Sequence, residues 1–60
     1  MTSPAIHEVE VFKGRNGLWY FRAIAKNGEQ VLASEAYSKK WNAKRAAKRV
    51  FPDAPIVEVE

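Results

Sequence analysis

Gly17-Leu18-Trp19-Tyr20-Phe21-Arg22-Ala23-Ile24-Ala25-Lys26-Asn27-Gly28-Glu29-Gln30-Val31-Leu32-Ala33-Ser34-Glu35-Ala36-Tyr37 is the stretch on which the fold turns. Asn-Gly between two runs rich in aromatic and β-branched residues signals a hairpin, because a two-residue type I′ turn needs positive φ at both central positions. The stretch predicts antiparallel strands over residues 18–26 and 29–34, with Lys26 opposite Glu29, Ala23 opposite Leu32 and Ile24 opposite Val31.

Upstream, residues 6–13 alternate apolar and charged side chains as a half-buried strand does, with Val9 and Val11 on one face and Glu8, Glu10 and Phe12 on the other. Gly14-Arg15-Asn16-Gly17 closes a first hairpin. Pairing Val11 with Trp19, Val9 with Phe21 and Glu8 with Arg22 separates core from charge. The one-residue slip would instead set Glu10 against Phe21. One sheet face then collects Val9, Val11, Trp19, Phe21 and Leu32, and the other Phe12, Tyr20, Arg22, Ile24 and Val31. A single helix covers only one of them.

Downstream, a helix is predicted from an N-cap at Ser38 to Phe51, ended by Pro52. Ala43, Ala46, Ala47, Val50 and Phe51 form its core stripe, and Lys44, Arg45, Lys48 and Arg49 its opposite arc. Trp41 projects into that arc, where two readings compete: stacking on a base, or packing of the indole over the sheet edge, which is preferred. Lys39 and Lys40 oppose the helix dipole, a cost that an anion would remove. Residues 52–55 form a stiff linker with two prolines, and residues 56–60 alternate again as a last strand that pairs within its own chain or reaches across to a second. The expected class is α+β: a β-β-β-α-β unit, an antiparallel sheet with one helix packed on it.

Sixty residues form one domain, residues 6–60, after a polar lead, residues 1–5, expected to be disordered. A core of this size is marginal alone. With no cysteine and one histidine, disulfides, thiolate metal sites and an imidazole cage are excluded, so neither a metal nor a cofactor is expected and another protein chain is the natural staple. No segment has signal-peptide or membrane-spanning character; a cytoplasmic protein with no membrane partner is expected. Six cations, Lys39, Lys40, Lys44, Arg45, Lys48 and Arg49, lie between Ser38 and Phe51 with no acid among them, while Glu8, Glu10, Glu58 and Glu60 sit near the ends. A basic helix and acidic outer strands follow.

Catalysis has little to build on. A nucleophile would have to be Ser34, Ser38 or Thr2 with His7 as base, and no acidic orienter frames them. Ser38 is better read as a cap, Glu35 beside Tyr37 as a structural charge, and Gly14, Gly17 and Gly28 as turn residues rather than a phosphate loop. No enzyme is expected.

Val-Phe-Lys, then Gly-x-Trp-Tyr-Phe-Arg, Asn-Gly-Glu, Ser-Glu-x-Tyr-Ser and a helix with Lys40 and Ala43 together resemble the YegP-like family of small domains of unknown function, over residues 9–50. The resemblance implies a β(3)-α-β unit that works in pairs, as tandem repeats or two subunits that exchange C-terminal strands; for one unit it implies a homodimer with Ile56, Val57 and Val59 at its interface. It implies no activity. Lys44 and Arg45 stand where the family commonly has acidic or amide residues, and Ala47 where it has a larger apolar one, giving a more basic surface and a thinner core.

Two functions are therefore carried forward. The first is a non-enzymatic homodimeric interaction module that docks another protein or a polyanion. The second is DNA or RNA binding, either through the helix arc of Lys40, Trp41, Lys44, Arg45, Lys48 and Arg49, or through the open sheet face with Tyr20 and Arg22 as readers and Arg15 on the turn, in the manner of the arm-binding domains of tyrosine-type integrases. Glu8 and Glu10 on that sheet face oppose phosphate.

Overall fold

The computed structural model describes residues 6–59; the lead, residues 1–5, lies outside them. Strand β1 (Ile6–Lys13), β2 (Trp19–Ala25) and β3 (Gln30–Ala33) precede helix α1 (Lys40–Val50) and strand β4 (Ile56–Val59), in the expected order. The sheet order is β3-β2-β1-β4. Strand β1 pairs antiparallel with β2, and β2 with β3, but β4 runs parallel to β1, so the sheet is mixed rather than antiparallel. Chain direction explains the correction. Strands β1 and β3 point the same way, α1 reverses the chain, and the strand after it must run along either available edge in the parallel sense. Strand β4 docks on β1 of its own chain, anchored by the Val9 amide donating to the Pro55 carbonyl at 2.9 Å.

Both hairpin turns depart from expectation, and both for the same reason. Gly28 has φ 90° and Gly17 φ 81°, while among the described residues no non-glycine has positive φ, which excludes a type I′ turn at Asn27-Gly28. Instead Lys26-Asn27-Gly28 is a three-residue loop: Ala25 N–H donates to the Glu29 carbonyl, and Gly28 N–H to the Ala25 carbonyl, both at 2.8 Å. Arg15-Asn16-Gly17 repeats this design, with Gly14 N–H bonded to the Leu18 carbonyl at 2.7 Å and Gly17 N–H to the Gly14 carbonyl at 3.0 Å. In each loop the Asn Oδ1 accepts the amide two residues on, Leu18 at 3.1 Å and Glu29 at 3.0 Å. Closing between Gly14 and Leu18 sets Val11 opposite Phe21, Val9 opposite Ala23, Glu10 opposite Arg22 and Lys13 opposite Trp19, two residues away from the expected register. A two-residue shift preserves the faces, so the partition into core and open face stands.

Two irregularities refine it. Between Ile6 and Glu8 the β1–β2 register shifts, which carries Ile6 onto the core side, where it packs against the buried cluster. In β3 Ala23 faces Leu32 as expected, but Ile24 faces Gln30 rather than Val31, the latter being the extra residue of the shift. Beyond β3 the ladder is continued by Ser34, whose Oγ accepts from Phe21 N–H at 2.8 Å and donates to the Glu35 carbonyl at 2.8 Å, and by an isolated Trp19–Tyr37 bridge.

The core is Val9, Val11 and Phe21 against Ala43 and Ala47, with Ile6, Trp19, Tyr37, Ala46, Phe51, Ala54 and Ile56 around them. Ala47 is fully buried, so the small residue brings the helix close to the sheet. Helix α1 contacts β1, β2 and β4 but not β3, which leaves Leu32, though on the core face, 42% exposed. Val50, expected in the helical stripe, is 52% exposed at the helix end. The N-cap is Lys39, in extended conformation with no side-chain cap bond, and not Ser38; no acidic residue lies in the first turn.

Candidate functional site: the basic helix and the open sheet face

The six helix cations do not act as one arc. Lys40 Nζ donates to Glu58 Oε1 at 2.9 Å and Lys44 Nζ to Oε2 at 2.8 Å, so one β4 carboxylate clamps two successive turns of α1. These two ammonium groups hold the Glu58 carboxyl down at about 2. Glu58 thus neutralises the charge of Lys40, one of the two lysines that oppose the dipole at the helix start. Lys40 Nζ further sits 5.5 Å from the Trp19 ring centre. Lys48 Nζ donates to the Pro52 carbonyl at 2.9 Å, closing the helix C-terminus.

Arg45 and Arg49 are different. Both are exposed, neither forms an ion pair among the described residues, and with Tyr37, Asn42 and Ala46 they line an open groove of about 290 Å³ along the flank of α1. Trp41, one turn before Arg45, is 60% exposed. The indole therefore does not fold down over the sheet, against the preferred expectation, and stands largely in solvent. Of the nucleic-acid candidates on the helix, the structure joins Arg45 and Arg49 in one groove, leaves Trp41 exposed one turn before Arg45, and commits Lys40, Lys44 and Lys48 to internal bonds. Sequence reading missed Tyr37 and Asn42. Asn42 lies three residues before Arg45, a helical spacing that was available; Tyr37 comes in only because its backbone pairs with Trp19 and its ring stacks on Phe21, centres 6.5 Å apart.

Across the sheet the open face forms three rows: Gln30, Ile24 and Glu8; Ala33, Arg22, Glu10 and Val57; Tyr20, Phe12 and Val59. Arg22 is not free to read bases. Its Nε donates to Glu10 Oε1 at 2.6 Å and its guanidinium lies 4.8 Å from the Phe12 ring centre. Tyr20 is likewise engaged, stacked on Phe12 at 5.6 Å and accepting from Asn16 Nδ2 at 2.8 Å. Arg22 holds the Glu10 carboxyl below the usual range; the hydrogen bond that Glu8 shares with Glu10 raises Glu8 above it. Of the three residues expected at a dimer interface, Val57 and Val59 lie on this face, whereas Ile56 packs into the core side.

Ser34, considered above as a nucleophile, has its hydroxyl engaged as both donor and acceptor, and His7 is exposed beside Glu8 at 3.7 Å. Among the described residues no three His, Cys, Asp or Glu side chains gather as metal ligands would, and no helix is long and apolar enough to cross a membrane.

Residues 15–60 match the family model of a domain of unknown function, DUF1508. The chain belongs to that family. Over 51 residues it is 35% identical to the UPF0339 protein YegP of Yersinia pestis, a match covering 85% of this chain and 46% of that protein. The YegP-like resemblance carried by Trp19 to Arg22, Asn27-Gly28-Glu29 and the motif ending at Tyr37-Ser38 is thereby shown, and the chain spans less than half the length of this relative. No solved structure matches.

Proposed function

We propose that this chain is a non-enzymatic interaction module that works as a pair of units, two copies joined through the sheet face that no helix covers, with the two basic helices turned outward to bind a further macromolecule. The observation that carries the reading is the character of that face: Phe12, Tyr20, Ile24, Val57 and Val59 surround an internally neutralised Arg22–Glu10 pair, and all are only partly shielded within the chain. Apolar side chains around a satisfied ion pair suit a protein surface better than a phosphate backbone. A two-fold pair is self-complementary by construction, so the same apolar patch serves both copies. The YegP relative supports pairing, since the matched segment occupies under half of it and leaves room for a second of the same size.

Sedimentation equilibrium tests the reading at micromolar concentration. The wild type is expected to be a dimer. Ile24→Asp with Val57→Asp is expected to give a folded monomer, because both side chains point to the open face and neither belongs to the core. A wild-type chain that stays monomeric at that concentration would sink the idea. Catalysis plays no part in this reading, in keeping with the engaged Ser34 hydroxyl and the solvent-exposed His7.

A further inference from the structure

The groove between α1 and the Tyr37 segment is cationic and polar, unlike the one lined by Ile6, Val50, Phe51, Pro52, Asp53 and Ala54 at the other end of the helix. Its polar lining consists of a phenol, a carboxamide and two guanidinium groups, with no carboxylate among them. Tyr37 is fixed there by its stacking on Phe21 and by two backbone bonds to Trp19, at 2.7 and 2.8 Å. Asn42, Arg45 and Arg49 recur at three- and four-residue spacing, which places them along one flank of the helix, about 5 to 6 Å apart at Cβ. Every other helix cation has an internal acceptor in Glu58 or the Pro52 carbonyl, or, for Lys39, sits at the N-cap outside the groove. The helix charge free of internal partners is thus that of Arg45 and Arg49 at the groove, while Glu8 and Glu10 lie on the open face of the sheet.

We infer that this groove is a phosphate-binding site for single-stranded nucleic acid, in which Arg45 and Arg49 hold a backbone phosphate, Tyr37 and Asn42 donate to its remaining oxygens, and Trp41 stacks on the neighbouring base. Guanidinium groups suit this task, because their planar donor fork matches phosphate oxygens two at a time. The indole decides between a free anion and a strand. It is 60% exposed one helical turn from Arg45, an arrangement that offers a flat apolar ring beside a phosphate clamp. A duplex keeps its bases stacked inside and gives that ring nothing to cover. The inference rests on the binding-module reading but not on pairing, since all five residues belong to one chain.

The test uses fluorescence anisotropy of the full chain with a labelled twelve-nucleotide oligothymidylate at 50 and 200 mM salt. The wild type is expected to bind at the lower salt. Arg45→Gln with Arg49→Gln is expected to weaken binding at least tenfold and to flatten the salt dependence by about 0.7 in the log–log slope, for the one phosphate that the two arginines hold on a single strand. Lys40→Gln with Lys44→Gln removes the same charge and is expected to leave binding within about threefold, circular dichroism confirming that both variants are folded. Trp41→Ala is expected to cost about 5- to 150-fold on oligothymidylate and nothing on an abasic strand of equal length. Tyr37→Phe, which keeps the ring and loses the donor, is expected to weaken both strands alike. Equal losses for the arginine and lysine pairs would overturn the proposal in favour of bulk charge. Binding of millimolar inorganic phosphate, read by the chain's tryptophan fluorescence, with no strand binding at 50 mM salt would overturn it in favour of a free-anion site. Measuring the Ile24→Asp, Val57→Asp chain alongside separates the two ideas: strand binding by a wild type that proves monomeric rejects pairing and keeps the site, and a dimer that binds no strand does the reverse.

Discussion

Glu58 holds the last strand to the helix through two ammonium groups, and its acidity makes that clamp measurable. Its folded pKa of about 2 lies below the ordinary value of 4.5. A depressed carboxyl contributes stability that is fully present above the unfolded value and is lost as the pH falls through the folded one, here between about 4.5 and 2. Glu8 works with opposite sign. Its raised value means that the charged form is disfavoured beside Glu10, so its contribution is present in acid and lost as the pH rises through the raised folded value. In urea unfolding followed across pH, Glu58→Gln is therefore expected to be less stable than wild type at pH 6 and to converge with it near pH 2, while Glu8→Gln is expected to equal or exceed wild type at pH 6. Indistinguishable pH profiles for Glu58→Gln and wild type would show the clamp to be without effect on stability. None of this was legible in the sequence, because Glu58 meets Lys40 and Lys44 only through the parallel docking of β4. The basic character of the helix was legible, and so was the ambiguity of Trp41, which only its surroundings could settle.

At the scale of elements, the strands and the helix follow directly from their patterns, and the errors cluster at their junctions. Asn-Gly marked both loops, but two- and three-residue loops use the same residues and differ only in whether Asn takes positive φ. Here Asn Oδ1 accepts a local amide and Gly alone takes positive φ, so each hairpin closes as a three-residue loop. The helix start was misplaced for a related reason. Ser38 has the chemistry of a cap, yet the chain is still extended at Lys39, with φ −127° and ψ 141°, and the cap falls on a lysine. That position is one where the sequence works against its own helix: it lacks a side-chain acceptor and carries positive charge at the positive end of the dipole. Lys39→Asp is accordingly expected to stabilise the fold by about 1 kcal/mol, read as a rise in the urea midpoint with an unchanged slope. A Ser38→Ala change would have been the natural substitution from sequence alone, and the geometry gives it no cap bond to remove.

For the whole molecule, the direction of β4 could have been deduced. Three alternating strands and one returning helix leave both sheet edges parallel to whatever follows, so an antiparallel fourth strand was never available within one chain. What the sequence does not carry is whose β1 receives it. In the structure β4 lies on its own β1, with Val9 opposite Ile56, and residues 52–55 make the return with a turn in which Ala54 N–H bonds to the Phe51 carbonyl at 3.2 Å. Exchange between two copies would recreate every β1–β4 contact in trans and would change only the path of that short linker, so contacts within one unit do not discriminate the two states. Covalent trapping does. Since the chain has no cysteine, Val9→Cys with Ile56→Cys introduces the only thiols, at opposed positions of a parallel pair and with modest change to the core. Pairing through the open face, with each β4 on its own strand, is expected to yield a disulfide within each chain: denaturing gels without reductant then show monomer, while sedimentation of the native oxidised protein still shows dimer. A covalent dimer that runs as monomer after reduction would instead establish exchange, and the open face would then lie at the surface of a swapped pair rather than at its interface.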